Sequence, residues 1–232
     1  NGEVEEEIYV RQPVGYERGD KTKVCRLLKA LYGLKQASRV WHKKLQSLLL
    51  AGGFRPANSD PCLFIGTVDG VVCYLLVYVD DIIAASKSAS AVDAAKAGIL
   101  KAFKARDMGS PSYFLGMYIT RDTKKGVLQL GQRQYVVSLL ERFGLTEANP
   151  VRLPMGAGVR LQKEGDLLPD DAKAVYQEML GALLYLATCT RPDITFAVGR
   201  LSRYAAAPTT AHLAAAKTVL RYLKGTTALA LE

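Results

Sequence analysis

The spacing of apolar residues divides the chain into two parts. Over residues 1–150, strand-length apolar runs alternate with stretches of helical period, and this pattern predicts an α+β fold. Residues 151–171 are rich in Pro, Gly and charge, which predicts a linker or a long loop. From 172 to 232 the pattern is wholly helical. The first helix of this part is predicted to have an apolar face formed by Val175, Met179, Ala182 and Leu186.

Three apolar runs in the first part predict a small antiparallel meander. Residues 62–67 and 71–79 are joined by an Asp-Gly dipeptide, which is typical of two-residue hairpin turns. A third run begins directly after Asp80 and Asp81, so the second turn is predicted at this acidic pair. Because the runs are apolar at almost every position, we expect the strands to be buried on both faces.

The acidic pair inside this apolar hairpin suggests metal chemistry. Two carboxylates about 4 Å apart repel by roughly 4 kcal/mol at an effective dielectric of about 20, and burial raises that cost. A divalent cation removes the repulsion, and Mg²⁺ typically binds one or two carboxylates together with substrate phosphates. The alternative is an exposed hairpin tip, where Asp is common and needs no metal. The apolar flanks favour the cation.

Composition narrows the class of partner. The formal net charge is +9, but residues 1–20 hold six acidic and two basic side chains, so the remaining chain carries +13. Such an excess suits a polyanion such as nucleic acid, although a generic basic surface explains it as well. Four scattered cysteines and only two histidines disfavour a zinc site and a disulfide framework, and they fit an intracellular, reducing compartment. No apolar run reaches membrane-spanning length, so no membrane partner is expected.

Eight segments resemble a known protein family in their order and spacing. They are "EEEIYVRQPVGY" (5–16), "LLKALYGLKQASRVW" (27–41), "DPCLF" (60–64), "LLVYVDDII" (75–83), "YFLGMYI" (113–119), "LLERFGL" (139–145), "LGALLYLATCTRPDITFAV" (180–198) and "LRYLKGT" (220–226). Together they resemble the reverse transcriptases of copia-type long-terminal-repeat retrotransposons, in which "YVDD" is the catalytic signature. The resemblance spans essentially the whole chain.

This resemblance implies a right-hand polymerase fold. The palm and the remaining fingers elements would occupy residues 1–150, and a helical thumb with the start of the connection would occupy 172–232. The implied reaction is RNA-directed DNA synthesis, in which a primer 3′-hydroxyl attacks a deoxynucleoside triphosphate with the help of two Mg²⁺ or Mn²⁺ ions. Asp80 and Asp81 would be the metal ligands, and Tyr78 would lie near the nucleotide and the primer end.

The resemblance also implies nucleic-acid contacts away from the acidic pair. Gly33 would let the backbone approach the incoming nucleotide and the template, and Lys35 would offer a cation nearby. A solvated loop lysine is the alternative for Lys35. In the thumb, Lys217, Arg221 and Lys224 recur at helical spacing and would face phosphates. A solvated helix face is the alternative for this row.

A second hairpin is predicted from the runs 113–121 and 126–130. By resemblance it would be the primer grip, which positions the primer 3′ end, although the alternation alone fits an ordinary amphipathic hairpin equally well. The residues that match the primer grip are Phe114, Leu115, Gly116 and Met117.

One acid that the family uses lies outside the sequence. The third carboxylate ends a palm strand of pattern D-x-x-x-A-F-L-N-G, and the chain begins with the last two letters of that pattern, Asn1 and Gly2. We therefore expect a fragment that lacks this Asp and the RNase H acids and is inactive alone. Substitution by a nearby acid is not expected, because the candidates follow the strand rather than end it. These candidates are Glu3, Glu5, Glu6 and Glu7.

The expected partners are a primed RNA or DNA template, deoxynucleoside triphosphates and the rest of the Pol polyprotein: the upstream palm strand and fingers, RNase H and integrase. The family implies cytoplasmic virus-like particles. Two other functions stay open. A non-enzymatic nucleic-acid-binding remnant of a decayed element would bind duplex without needing Asp80. A metal-dependent nuclease would need further acids or His near the pair, and residues 70–90 supply none.

Overall fold

The computed structural model describes residues 6–20, 22–31 and 33–232, and the chain divides into two compact units, Asn1–Gly109 and Ser110–Glu232. Both units combine antiparallel strands with helices, so the expected mixture of helix and sheet is confirmed. The boundary between the units along the chain follows Gly109, well before residue 150, where the sequence pattern changes. The assignment of palm, linker and thumb stays a prediction. No helix in the described ranges is long and apolar enough to cross a membrane.

The first unit is built around a four-stranded antiparallel sheet. In chain order its elements are β1 (Tyr9–Arg11), β2 (Val24–Arg26), α1 (Ala37–Ala51), β3 (Arg55–Pro56), β4 (Leu63–Val68), β5 (Val71–Tyr78), β6 (Asp81–Ser86) and α2 (Ala89–Ala102). Strands β1 and β2 pair with each other, and the larger sheet has the order β3-β4-β5-β6. Its β4–β5 turn has left-handed backbone at Asp69 (φ 49°) and Gly70 (φ 78°), as the predicted Asp-Gly hairpin requires.

Only one face of this described sheet is buried, so the expectation of two buried faces was wrong. On β5, Cys73, Leu75 and Val77 are buried and share a hydrophobic core with residues of α1 and α2. Tyr74 and Tyr78 point to the opposite face and are exposed. Side chains alternate between the two faces of a strand, so the apolar residues between the buried ones form an open apolar surface.

The second unit joins a small sheet to a helical bundle. Its elements are β7 (Tyr113–Phe114), β8 (Met117–Asp122), β9 (Val127–Gly131), α3 (Arg133–Arg142), α4 (Asp170–Cys189), a short 3₁₀ helix (Pro192–Ile194), α5 (Thr195–Ser202) and α6 (Thr210–Gly225). The three strands form one antiparallel sheet in the order β7-β8-β9. The sequence predicted one strand over 113–121, but a tight turn divides that run into β7 and β8.

The helices α3 to α6 share one hydrophobic core, and Met179 and Leu186 of the predicted apolar face of α4 are fully buried in it. The other two predicted residues do not follow: Val175 is exposed and Ala182 is only partly buried, because Tyr176 takes the core-facing position next to Val175. Tyr176 is fully buried, and its hydroxyl donates to the Leu201 carbonyl at 2.8 Å. A tyrosine with a satisfied hydroxyl can occupy a core position, which the apolar pattern alone does not indicate.

The irregular segment between α3 and α4 packs on the helices rather than extending away from them. Leu161 is buried, and its carbonyl accepts a hydrogen bond from the Tyr204 hydroxyl at 2.8 Å. The Leu168 N–H donates to the Pro208 carbonyl at 2.9 Å. These contacts make the segment a long loop held to the bundle.

Candidate active site

The acidic pair lies where β5 turns into β6. Tyr78 pairs with Asp81 across the two strands, so Val79 and Asp80 form the loop between them. The turn is therefore one residue earlier than predicted, and Asp81 is the first residue of β6. Val79 has left-handed backbone (φ 51°), a conformation that β-branched residues rarely adopt.

Both carboxylates of the pair are exposed, which corrects the argument from burial. In water-like surroundings two unit charges about 4 Å apart repel by roughly 1 kcal/mol, a fraction of the cost in a protein interior. Charge repulsion therefore does not require a cation here. Exposure instead lets a hydrated cation and the phosphates of a substrate reach both side chains.

Asp81 lies on the uncovered face of the sheet. Cross-strand partners share a face, so Asp81 lies on the same side as Tyr78, opposite the buried Val77. Further along this face, Tyr74 is paired with Ile65, and both side chains are exposed. The result is a surface with the Asp81 carboxylate at one end and with aromatic and aliphatic side chains beyond it.

Trp41 on α1 connects that helix to the β5–β6 turn. Its indole N–H donates to the Val79 carbonyl at 2.6 Å. Its ring meets Phe103 edge to face, with ring centroids 4.9 Å apart. The sequence pattern treated Trp41 only as an apolar helix position. The signal available was its indole N–H, which needs a partner when the ring is packed.

Gly33 and Lys35 lie in the turns that lead into α1, within the same unit as the acidic pair. Gly33 is exposed and has φ 92°, and a Cβ placed there would meet nothing within 4 Å. The backbone conformation, rather than crowding, therefore favours glycine at this position. Lys35 is exposed.

The four predicted primer-grip residues form the β7–β8 turn of the second unit. Phe114 pairs with Met117, and the loop between them has left-handed backbone at Leu115 (φ 51°) and Gly116 (φ 81°). The Tyr185 hydroxyl of α4 donates to the Leu115 carbonyl at 3.1 Å. Burial raises the pKa of Tyr185, so this hydroxyl stays protonated as a donor. This contact was not foreseen from the sequence.

The predicted phosphate-facing row on α6 is only partly exposed. Lys217 is exposed, whereas Arg221 and Lys224 are half-buried. The Arg221 Nε donates to the Asn149 carbonyl at 2.7 Å, and the Lys224 ammonium donates to the Thr146 carbonyl. Two of the three cations therefore also hold the loop that follows α3, and the phosphate-binding role of the row stays a prediction.

Within the described ranges, no three side chains among His, Cys, Asp and Glu lie close enough together to hold a metal ion. Glu6 accepts a hydrogen bond from the Gln36 amide at 3.0 Å, and Glu7 pairs with Arg26 at 3.1 Å. The other two candidate substitutes for the third carboxylate, Glu3 and Glu5, lie outside the described residues.

Comparison with known proteins identifies the family. The model of the family described as reverse transcriptase (RNA-dependent DNA polymerase) matches residues 1–157. The chain belongs to the reverse transcriptase family. The resemblance to copia-type retrotransposons is confirmed by the relatives that match almost the whole chain.

Three relatives illustrate the similarity. The chain is 39% identical over 236 residues to the retrovirus-related Pol polyprotein from transposon TNT 1-94 of Nicotiana tabacum, covering 98% of this chain and 18% of that protein. It is 40% identical over 227 residues to the retrovirus-related Pol polyprotein from transposon RE2 of Arabidopsis thaliana, and the match covers 97% of this chain and 15% of that protein. It is 31% identical over 234 residues to the putative transposon Ty5-1 protein of Saccharomyces cerevisiae, and the match covers 100% of this chain and 75% of that protein. The chain thus spans less than a fifth of the two plant polyproteins. No solved structure matches it.

Proposed function

We propose that the chain supplies the palm, the remaining fingers elements and the thumb of an RNA-directed DNA polymerase of a copia-type retrotransposon. The reaction would add deoxynucleotides to a primer 3′-hydroxyl on an RNA or DNA template. The observation that carries the proposal is the β5–β6 turn, where the two aspartates of the family signature stand exposed at the tip of a sheet. The family membership supports the template and the nucleoside triphosphates as substrates.

Asp80 and Asp81 fit a divalent cation by their chemistry. Carboxylate oxygens are the ligands that Mg²⁺ and Mn²⁺ prefer, and both side chains are exposed, so water and substrate phosphates can complete the coordination shell. When bound, two such ions would supply Lewis acidity and neutralise charge during nucleotidyl transfer. The role of this chain's own residues is to hold the two carboxylates at a fixed place beside the substrate.

The third carboxylate would come from another strand of the Pol polyprotein. Among the described strands, β6 pairs only with β5, so its outer edge presents backbone N–H and C=O groups to which a further strand can add. A strand in that position would bring its own side chains beside Asp81. We expect the chain without that strand to lack a metal ligand and to show little polymerase activity.

The remaining predicted residues would bind the nucleic acid around this centre. Tyr78 shares a face with Asp81, and its exposed ring offers a stacking surface for a base or sugar at the primer end. Gly33 offers an unobstructed backbone and Lys35 an exposed cation for the nucleotide and the template. The β7–β8 turn would position the primer, and the α6 row with Lys217 would contact phosphates.

RNA-templated primer extension with Mg²⁺ tests the proposal. Four proteins are compared: the chain alone, the chain joined to the preceding Pol segment, and the joined protein carrying either Asp80→Asn or Asp69→Asn. Asp69 lies at the other end of β5, so Asp69→Asn makes the same chemical change away from the site. We expect extension only by the joined protein and its Asp69→Asn variant, with Asp80→Asn lowering the rate by roughly 100-fold or more. Equal rates for the two Asn variants would contradict the proposal.

A non-enzymatic nucleic-acid-binding remnant is the second candidate. It is favoured by the +13 charge of residues 21–232, together with the lack of a three-acid group in the described ranges. It predicts that the joined protein binds primer–template with a salt-dependent affinity, does not extend the primer, and binds equally well with Asp80→Asn.

A further inference from the structure

Val79 holds a backbone conformation that its own side chain disfavours. Its φ of 51° places a β-branched residue in the left-handed region, directly before Asp80. Such residues persist only where their surroundings hold them in place. Because Val79 is the first residue of a two-residue loop, the direction of its peptide group sets the orientation of Asp80 and the start of β6.

Trp41 supplies a contact that holds this residue. Its indole N–H donates to the Val79 carbonyl at 2.6 Å, slightly shorter than a typical N–H···O hydrogen bond. The ring is itself held in place against the core of the first unit and edge to face with Phe103. Helix α1 and strand β5 are anchored in the same core, through Leu45 and Val77 among others. The donor and the turn therefore have a common rigid support.

We infer that Trp41 is a positioning residue for the acidic pair. Its indole N–H stabilises the left-handed turn at Val79 and so keeps Asp80 and Asp81 oriented toward a common divalent cation. The inference rests on the proposed function, because it assumes that the pair binds a cation during polymerisation. A role in packing alone would need the aromatic ring but not the N–H.

The variant Trp41→Phe separates the two roles, because it keeps a ring against Phe103 and removes the donor. In the chain joined to its preceding Pol segment, we expect the kcat of primer extension to fall about fivefold, which corresponds to one hydrogen bond. The KM for primer–template should stay within about twofold. The affinity for Mn²⁺, measured by electron paramagnetic resonance, should fall by a factor similar to that in kcat. Phe64→Leu is the matched control: it truncates a ring of the same core whose ring contact is with His42, so it should lower the Tm and leave Mn²⁺ affinity unchanged.

The wild-type chain provides a second readout that needs no variant at Trp41. Trp41 is its only tryptophan, so the emission of the protein reports directly on this contact. We expect Mn²⁺ to quench the Trp41 fluorescence with the same Kd as that measured by electron paramagnetic resonance. The variant Asp80→Asn should abolish this quenching. Quenching that is absent while Mn²⁺ binds at the pair would refute the inference even if Trp41→Phe did not fold.

The outcomes distinguish the inference from the proposal on which it rests. If Trp41→Phe matches wild type in kcat and Mn²⁺ affinity, the positioning role is refuted while the polymerase proposal stands. If the wild-type protein binds no Mn²⁺ and Asp80→Asn leaves extension unchanged, the proposed function fails and the inference fails with it.

Discussion

Arg191 connects the end of α4 to the end of α6, and we expect its removal to destabilise the second unit strongly. Its guanidinium is buried and donates to both carboxylate oxygens of Asp193, at 3.0 and 2.8 Å. It also donates to the Thr226 carbonyl at 3.1 Å and to the Thr226 hydroxyl at 2.6 Å. Tyr222 completes the cluster, since its hydroxyl donates to Asp193 at 2.8 Å.

The perturbation is Arg191→Met, which keeps most of the packed stem and removes the charge with its four hydrogen bonds. Removing one partner of a buried ion pair typically costs about 3–5 kcal/mol, because the other charge stays buried and unpaired. The Asp193 side chain is 31% exposed, so water compensates part of that loss. We therefore expect a loss near the lower limit, about 3 kcal/mol.

Urea unfolding at pH 7, followed by far-ultraviolet circular dichroism, measures this loss. Burial raises the pKa of the Asp193 carboxyl, but the hydrogen bonds from Arg191 and Tyr222 outweigh it and hold the pKa below its usual value. A depressed carboxyl pKa stabilises the fold fully above the unfolded pKa of about 4, and this contribution is lost only as the pH falls through the folded pKa. At pH 7 the pair is therefore fully charged.

With an m-value of about 1.5 kcal/mol per molar urea, a loss of about 3 kcal/mol lowers the midpoint by roughly 2 M. The exposed Arg203 offers a matched control, and Arg203→Met should change the free energy of unfolding by less than about 0.5 kcal/mol. A midpoint shift below about 0.5 M for Arg191→Met, at an unchanged m-value, would refute the argument that the cluster joins α4 to α6.

Three further predictions concern single contacts. Tyr185→Phe removes only the hydroxyl that donates to the β7–β8 turn, so the rate of primer extension by the joined protein should fall about fivefold. Tyr135→Phe changes the neighbouring ring in the same way and should leave the rate of primer extension unchanged. Burial lowers the pKa of His212, so the unfolded state binds the proton first as the pH falls below about 6.5. The urea concentration at the unfolding midpoint of the second unit should therefore be lower at pH 5 than at pH 7. The variant His212→Gln should reduce this pH dependence. Gly66→Ala would place a Cβ 2.6 Å from the Phe54 ring and should lower the free energy of unfolding by about 1–3 kcal/mol. The control Gly98→Ala in α2 meets nothing within 4 Å and should be neutral or stabilising by up to about 1 kcal/mol. Thermal unfolding of both variants measures this contrast.

The sequence predicted local features that depend on residue type. The Asp-Gly turn between β4 and β5 is set by the backbone preferences of these two residues, so it follows from the residue types alone. The burial of β5 does not, since an apolar strand has the same pattern whether its second face is covered or open. The core position of Tyr176 on α4 was missed, because a tyrosine is buried there only when the Leu201 carbonyl accepts a hydrogen bond from its hydroxyl.

The contacts that hold the β5–β6 and β7–β8 turns could not be predicted from the sequence for a related reason. Val79 and Leu115 are apolar residues with left-handed backbone, and neither residue type predicts that conformation. In each case an aromatic side chain from a helix, Trp41 or Tyr185, donates a hydrogen bond to the carbonyl of the left-handed residue. Each donor is more than 35 residues away from its acceptor along the chain, so only the tertiary fold brings the pair together. The same kind of hydrogen bond at both turns indicates that the tertiary fold holds these loops in a left-handed backbone conformation that their own residues disfavour. That is the arrangement a polymerase needs if one turn binds the cation and the other positions the primer.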